Sequence, residues 1–394
     1  MKKLYYSFSI ILCTIFLACS SKSNKSAKIE SGIVISMNLD NEKPLIASTL
    51  FDTIMYVPLE TSDSFLFSRI SHLKVSDNNA YFISDKSFFL FDTETGKGKT
   101  KISKLGAGPE GYVSVFDSNI DISSNEIELL DNNAKKIVVY DMNGNFKRSI
   151  PLPFTSFTFT KTDKNTYWLY NNNLLSDASN SKVVHFNSDK NNVVEEYDKI
   201  DKHLAEYFFV EDETNLIRHG NCLLYHSSPS DKIYQITPGV GIKTSYVLDL
   251  GKYKAPENFY SAKYQDIMEF VEAANKNNYV FEIPTFSVND KMLAIACMKE
   301  GKLYTTFHMR ESGNNITYSS FYDNFNFSKP LPLEAKNISF CLDNKYFYFI
   351  IMPEQLINLQ QNSSNRSKID KWMNDKKITE FSNPILVKCR LKTN

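Results

Sequence analysis

A hydrophobic strand closed by a tight turn recurs along this chain, and the recurrence limits the fold more than any other feature. Starting from Ser87-Phe88-Phe89-Leu90-Phe91-Asp92, echoes begin at Lys136, Lys182 and Lys232, at spacings of 49, 46 and 50 residues. Two further copies, Lys302-Leu303-Tyr304-Thr305-Thr306-Phe307 and Pro384-Ile385-Leu386-Val387-Lys388-Cys389, follow longer gaps. A second strand precedes each copy, from Tyr81-Phe82-Ile83-Ser84 in the first unit to Tyr346-Phe347-Tyr348-Phe349-Ile350 in the sixth. A third precedes that, beginning at Ile70, Phe116, Phe157, Leu216, Thr285 and Ile338. Asn, Asp and Gly stand between these two, the residues that tolerate tight hairpin geometry. Five units carry an outer strand as well. The sixth runs out of chain, and Ile54-Met55-Tyr56-Val57-Pro58-Leu59-Glu60 has the pattern to supply its missing member, with Pro58 acceptable only on an edge.

Four antiparallel strands repeated at this period predict an all-β fold, a six-bladed β-propeller of four-stranded blades closed by an N-terminal strand. The residue mix agrees: 29 Phe and 22 Tyr suit pleated, half-buried surfaces. A pair of β-sandwiches would use the same strands but has no reason to repeat them evenly. Insertions interrupt the period at 251–279 and 352–382. In the first, Tyr260, Tyr264, Ile267, Met268 and Val271 recur at helical spacing; in the second, Leu356, Ile357, Leu359, Ile369, Trp372 and Met373 do. Strand alternation puts the loops between blades and the loops joining second to third strands on one face, so both helical insertions belong to that face.

The start of the chain reads as an export signal. Lys2 and Lys3 precede an apolar run from Leu4 to Leu17, too short to span a bilayer as a helix. The run ends Ala18-Cys19 before a small polar stretch, which resembles a bacterial lipoprotein signal cut before a Cys that is then acylated. This implies a signal peptide at 1–18, lipidation at Cys19, a tether and N-terminal extension at 19–50, and the propeller at 51–394. In lipoproteins of the kind this signal resembles, those sent to the cell surface tend to carry acidic residues just after the Cys; residues 20–29 hold none and include Lys22, Lys25 and Lys28, so the resemblance implies a periplasm-facing anchor.

Three segments carry a family likeness: Tyr56-Val57-Pro58-Leu59-Glu60-Thr61, Gly106-Ala107-Gly108-Pro109-Glu110-Gly111-Tyr112 and Asn383-Pro384-Ile385-Leu386-Val387. On these the chain resembles the six-bladed β-propeller lipoproteins of Bacteroides and its relatives, and the middle segment resembles a motif of NHL-type propellers. The usual order there is Gly-x-Gly-Pro-Gly-Glu-Tyr, and Glu110 and Gly111 are exchanged in it. The resemblance implies an exported envelope protein. The glycines and Pro109 themselves read as a tight loop between blades.

Lys and Arg together equal Asp and Glu at 45 each, and removing the signal leaves 43 against 45. Such balance lacks the basic excess that phosphate backbones select, so nucleic acid is not an expected partner. The six His, at 72, 185, 203, 219, 226 and 308, show no metal-binding spacing, and Cys222, Cys297, Cys341 and Cys389 lie in strand patterns as small hydrophobes. No cofactor and no metal are expected. On the face of the insertions, Tyr112, Asp131, Lys135, His226 and Asp231 are the candidate binding residues. The reading is a non-catalytic module, membrane-bound only through its lipid, for a glycan, a peptide or an envelope protein. A propeller hydrolase or lyase for carbohydrates or lactones is the alternative, and a scaffold docking a partner through the helical insertions is a third.

Overall fold

A computed structural model describes residues 32–202, 205, 213, 215–327, 329–333, 338–361 and 368–392. The signal and Cys19 lie outside these. The described residues belong to one compact unit that begins at Ser31. No helix among them is long and apolar enough to cross a membrane.

Sheet 1 is built from Ser71–Ser76, Asn79–Ser84, Ser87–Asp92 and Gly98–Ile102, in sequence order from inside to outside. Sheet 2 follows with Asp117–Asp121, Glu126–Asp131, Lys136–Asp141 and Phe146–Pro151, and sheet 3 with Thr158–Asp163, Thr166–Tyr170, Ser181–Asn187 and Asn192–Lys199. Sheet 4 holds Leu216–His219, Cys222–His226, Lys232–Thr237 and Gly241–Asp249, and sheet 5 holds Thr285–Val288, Met292–Lys299, Lys302–Met309 and Asn315–Tyr318. Sheet 6 combines Phe340–Leu342, Tyr346–Ile351 and Ile385–Leu391 with Phe51–Pro58, whose antiparallel register sets Pro58 opposite Ile385. The innermost strands lie against one another in the order 1 to 6, and sheet 6 returns to sheet 1.

The expected count of six blades is corrected, because the propeller has seven sheets. The seventh joins Leu45–Ile46, parallel to Ser320–Tyr322, and Leu331–Pro332, antiparallel to the same strand. Its side chains Leu45, Phe321 and Leu331 share one core with Phe307 of sheet 5 and Phe347 and Phe349 of sheet 6. Two of its strands are two residues long and one comes from the N-terminal extension, so no period in the sequence discloses it.

The extension forms a strap along the rim. Ile33–Ser36 pairs in parallel with Gly241–Asp249 as a fifth strand of sheet 4, and Ile35, Met37 and Leu39 are buried between sheets 4 and 5. Asn41 Nδ2 then donates to Thr317 O of sheet 5 at 2.6 Å, before the chain enters sheet 7 and finally sheet 6. Phe51 is fully buried where sheets 5, 6 and 7 meet, with Phe307, Phe321 and Phe347 rings 6.1 to 6.2 Å away. At the other edge of sheet 6, Glu60 N donates to Gly96 O at 2.8 Å. Gly96 has φ +70°, and a Cβ there would fall 2.0 Å from Pro58 O, so a glycine is required for this approach.

Both insertions contain helices. In the first, Glu257–Tyr260 is a single turn and the longer helix is Ile267–Lys276, capped by Asp266, whose carboxylate accepts from Glu269 N at 3.0 Å. Phe270 and Ala274 are its buried residues, whereas Met268, expected on the apolar stripe, is 61% exposed. The helix begins later than the spacing suggested, which rotates Met268 to solvent. In the second, Pro353–Gln361 and Lys368–Asp375 place Leu356 and Met373 in the core shared by sheets 5, 6 and 7.

Replacing Phe51 with alanine should lower stability by about 3 to 5 kcal/mol, the usual cost of emptying a buried aromatic site. In urea titration this appears as a lower midpoint at unchanged slope.

Candidate functional site

Each innermost strand runs from the face of the insertions towards the face formed by the tight hairpin turns. The expected binding residues all belong to the former, and most are already engaged. Tyr112 is fully buried; its hydroxyl donates to Ile102 O at 2.9 Å and accepts from Lys104 N at 3.2 Å, and burial raises its pKa above that of an ordinary phenol. The tight loop of Gly106 to Tyr112 depends on Gly111, whose Cβ would sit 2.6 Å from Gly106 O. Asp131, also fully buried, accepts from Val113 N at 2.7 Å, Ala134 N at 3.0 Å and Ser114 N at 3.3 Å, fastening that loop to sheet 2. Lys135 is exposed at a turn with φ +50°.

His226 is fully buried, with Nδ1 3.1 Å from Lys232 O and, among the described residues, no hydrogen-bond partner at Nε2. Burial pulls its pKa down to about 4. Asp231 pairs with Lys254 Nζ at 2.6 Å. The structure thus gathers Tyr112 and Asp131 at the junction of sheets 1 and 2, and His226 and Asp231 in sheet 4, with sheet 3 between the two groups.

The larger openings are elsewhere. A cavity of about 260 Å³ occupies the axis, lined from the innermost strands of sheets 1 to 6 and by Tyr81 of the second strand of sheet 1, with Lys74, Asn119, Thr160, Arg218 and Ser287 the polar residues of the innermost strands. On the hairpin-turn face a cleft of about 760 Å³ lies between sheets 2, 3 and 4. Asn119 and Arg218 line both, so the axial cavity adjoins the cleft.

Side chains at the axis reach across from sheet to sheet. Lys74 Nζ donates to Ser118 O at 2.8 Å and lies 2.7 Å from Asp117 Oδ1, while Asp117 Oδ2 accepts from Phe159 N at 3.0 Å. Thr158 Oγ1 donates to Asn215 Oδ1 at 2.8 Å, and Arg218 Nη1 to Thr162 O at 2.8 Å. On the hairpin-turn face Arg310 Nη1, from the turn after the third strand of sheet 5, lies 2.8 Å from His219 Nε2; nearer the axis Ser287 Oγ accepts from Leu342 N at 2.9 Å and Ser339 Oγ donates to Ile70 O at 3.0 Å. Every junction from sheet 1 round to sheet 6 and back carries at least one such link.

The cleft is ordered by ion pairs. Lys161 meets Asp121 at 2.9 Å and Glu128 at 2.8 Å, and the fully buried Glu128 also accepts from Tyr167 Oη at 2.8 Å and Asn119 Nδ2 at 3.0 Å. Arg148 grips Glu126 with two bonds, at 2.6 and 2.9 Å, and this grip holds the Glu126 carboxyl down at about 2. Burial works against the Lys161 ammonium, but its two carboxylates outweigh it and its pKa is raised. Arg218 alone among the cations lining the axial cavity has no carboxylate partner among the described residues. These residues escaped the sequence reading, although a signal was present: Lys74, Asn119, Thr160, Arg218 and Ser287 occupy comparable central places in five successive innermost strands.

No group of three or more His, Cys, Asp or Glu placed to hold a metal occurs among the described residues. Cys222, Cys297, Cys341 and Cys389 are free, and all but the half-buried Cys222 lie in the core.

The depressed pKa of His226 makes an acid-sensitivity prediction. Above pH 6.5 the imidazole is neutral whether folded or not; below it the unfolded chain binds a proton that the folded site refuses until about pH 4. Stability should therefore fall across that window, by about 3 kcal/mol from this group. Urea unfolding at pH 7 and pH 4.5 should show a smaller loss for His226→Asn than for the native chain.

Among solved structures, the fold matches a protein from Bacteroides fragilis NCTC 9343 described as exported, at TM-score 0.73 and 15% identity, covering 92% of this chain and 100% of that one. A member of the DUF4221 family from Bacteroides vulgatus matches at TM-score 0.53 and 12% identity, over 88% of this chain and 98% of that one. Both likenesses speak to fold alone. No curated protein matches in sequence. The family relation comes instead from residues 31–390, by which the chain belongs to the family of the domain of unknown function DUF4934.

Proposed function

We propose that this chain is an exported, lipid-anchored propeller that binds a glycan or a peptide without transforming it, and that the ligand enters where the axial cavity meets the cleft on the hairpin-turn face. One observation carries the reading: the carboxylates Asp121, Glu126 and Glu128 around that recess are cross-linked to Lys161 and Arg148 in fixed pairs. Proton transfer calls for a group whose pKa lies near the working pH. Here Arg148 holds Glu126 at about 2, and Glu128 and Asp121 raise Lys161 further from neutrality. Such groups serve better as an oriented surface than as an acid and a base. The described export of a similarly folded Bacteroides fragilis protein accords with the signal in residues 1–18, while the periplasm-facing anchor at Cys19 rests on the sequence.

Ile122 lies on the cleft wall and is 39% exposed, so a larger side chain there obstructs the mouth without entering the core. In calorimetry against a panel of oligosaccharides and peptides, Ile122→Trp should weaken the best ligand at least tenfold while the melting temperature stays put. Chromatography of the ligand after prolonged incubation should show it intact; cleavage would overturn the binding reading in favour of a hydrolase or lyase. For the anchor, metabolic labelling with an alkynyl fatty acid should mark the native protein and not Cys19→Ser, and an unlabelled native protein would remove the lipid from the proposal.

A further inference from the structure

The polar lining of the axial cavity has a definite chemical bias, and we infer that it selects a small hydroxylated carboxylate, of the size and character of a sugar acid. This rests on the binding reading above and adds the ligand's charge and class to it.

The ionised side chains of the cavity wall are two cations, Lys74 and Arg218. The countercharge of Lys74 stands behind the wall: Asp117 has a side chain only 1% exposed, against 18% for Lys74. Two of the three Lys74 N–H donors go to Asp117 and Ser118 O, which leaves one for a ligand. Arg218 gives one N–H to Thr162 O and keeps four, enough for the two parallel bonds that a carboxylate accepts from a guanidinium. An anion entering the cavity therefore meets two cations and no carboxylate among its lining residues.

The remaining polar groups suit hydroxyls. Asn119 donates its amide hydrogen to Glu128, leaving Oδ1 as an acceptor for a ligand O–H. Ser287 Oγ accepts from Leu342 N and retains its own hydrogen to donate. Thr160, half-buried on the next sheet round from Asn119, adds a second hydroxyl. Several apolar members of the wall turn away into the sheet cores, with Leu73 2% exposed and Phe159 and Phe286 1%, while Val75, Ile217 and Leu342 stay half-buried at its surface. What a ligand touches is thus the polar residues of the innermost strands together with these three side chains. At about 260 Å³ the cavity falls below the range of drug-sized pockets and matches a single residue-sized group. The ligand is either a free sugar acid or the acidic end of a longer saccharide whose remainder lies in the adjoining cleft.

The test is titration calorimetry of the full chain with glucuronate, glucose, hexanoate and an oligogalacturonate. Glucuronate should bind at least tenfold more tightly than glucose, which lacks the charge, and than hexanoate, which lacks the hydroxyls. Its affinity should fall as sodium chloride is raised. Arg218→Gln, a change on an exposed side chain that keeps a donor for Thr162 O, should weaken glucuronate at least tenfold and leave glucose unaffected. Arg218→Lys should recover part of the loss, because the charge returns without the paired geometry. Equal affinity for glucuronate and glucose, or an unchanged Arg218→Gln, would overturn this inference. If a neutral oligosaccharide then still bound and Ile122→Trp still blocked it, the binding reading would stand without the anion preference. Tighter binding of the oligogalacturonate, abolished by Ile122→Trp, identifies the acidic end of a chain as the ligand; equal binding of the two acids identifies the free sugar acid.

Discussion

The innermost strands of neighbouring sheets meet at the axis without forming a ladder, so their polar edges need other partners. Here they are joined by side chains that cross the gaps: Lys74 to the backbone of sheet 2, Asp117 to that of sheet 3, Ser287 to that of sheet 6, and Ser339 to that of sheet 1. A buried donor or acceptor left without a partner costs the full price of its desolvation. These crossings therefore satisfy the backbone and fix the angle between sheets in one act. The hydrophobic cores between sheets, such as Phe82, Phe89 and Phe91 against Tyr348 and Ile350, supply the larger driving force but little direction.

The same crossings shape the candidate site. Because Asp117 is consumed by Lys74 and two backbone amides, its charge is hidden and the cation is what the cavity sees. Glu128, buried and held by Lys161, Tyr167 and Asn119, likewise turns Asn119 so that its carbonyl is left over. The polarity of the axis is thus a by-product of holding the ring together. Asp117 and Glu128 are fixed for the same reason, since neither can rotate without releasing a buried partner.

Strand positions were legible in the sequence because a half-buried strand must alternate or be uniformly apolar, and the turns between strands need Asn, Asp or Gly. That the strand around Tyr56 closes sheet 6 could be read from the missing outer strand alone, but its register, with Tyr56 opposite Val387, could not. Sheet 7 could not: Leu45–Ile46 is too short to show a pattern, and its partner lies more than two hundred residues away. Site residues were read less well. Asp131 ends a strand and precedes a polar turn, which looks like an exposed acid, yet its carboxylate is turned inward to cap three backbone amides. His226 looks like a ligand at a loop, but its ring is enclosed. Burial of a loop side chain depends on how neighbouring sheets pack, and that information is not local. Lys74 and Arg218 were masked by the opposite error, since a single charged residue inside a strand looks like an ordinary surface position.

The rim strap has a mechanical meaning. Ile33–Ser36 lies parallel to the outer strand of sheet 4, and its evenly spaced ladder bonds run across the direction of the chain. Tension applied along the chain from its N-terminal side is carried by these bonds in shear, all of them stretched together, where a strand peeled sideways would lose them singly. Behind it, Asn41 on Thr317, the short pairing of Leu45 with Phe321 and the closure at Phe51 stand in series as successive arrests. A pull at this end must defeat each in turn before it reaches the seam that keeps the ring shut.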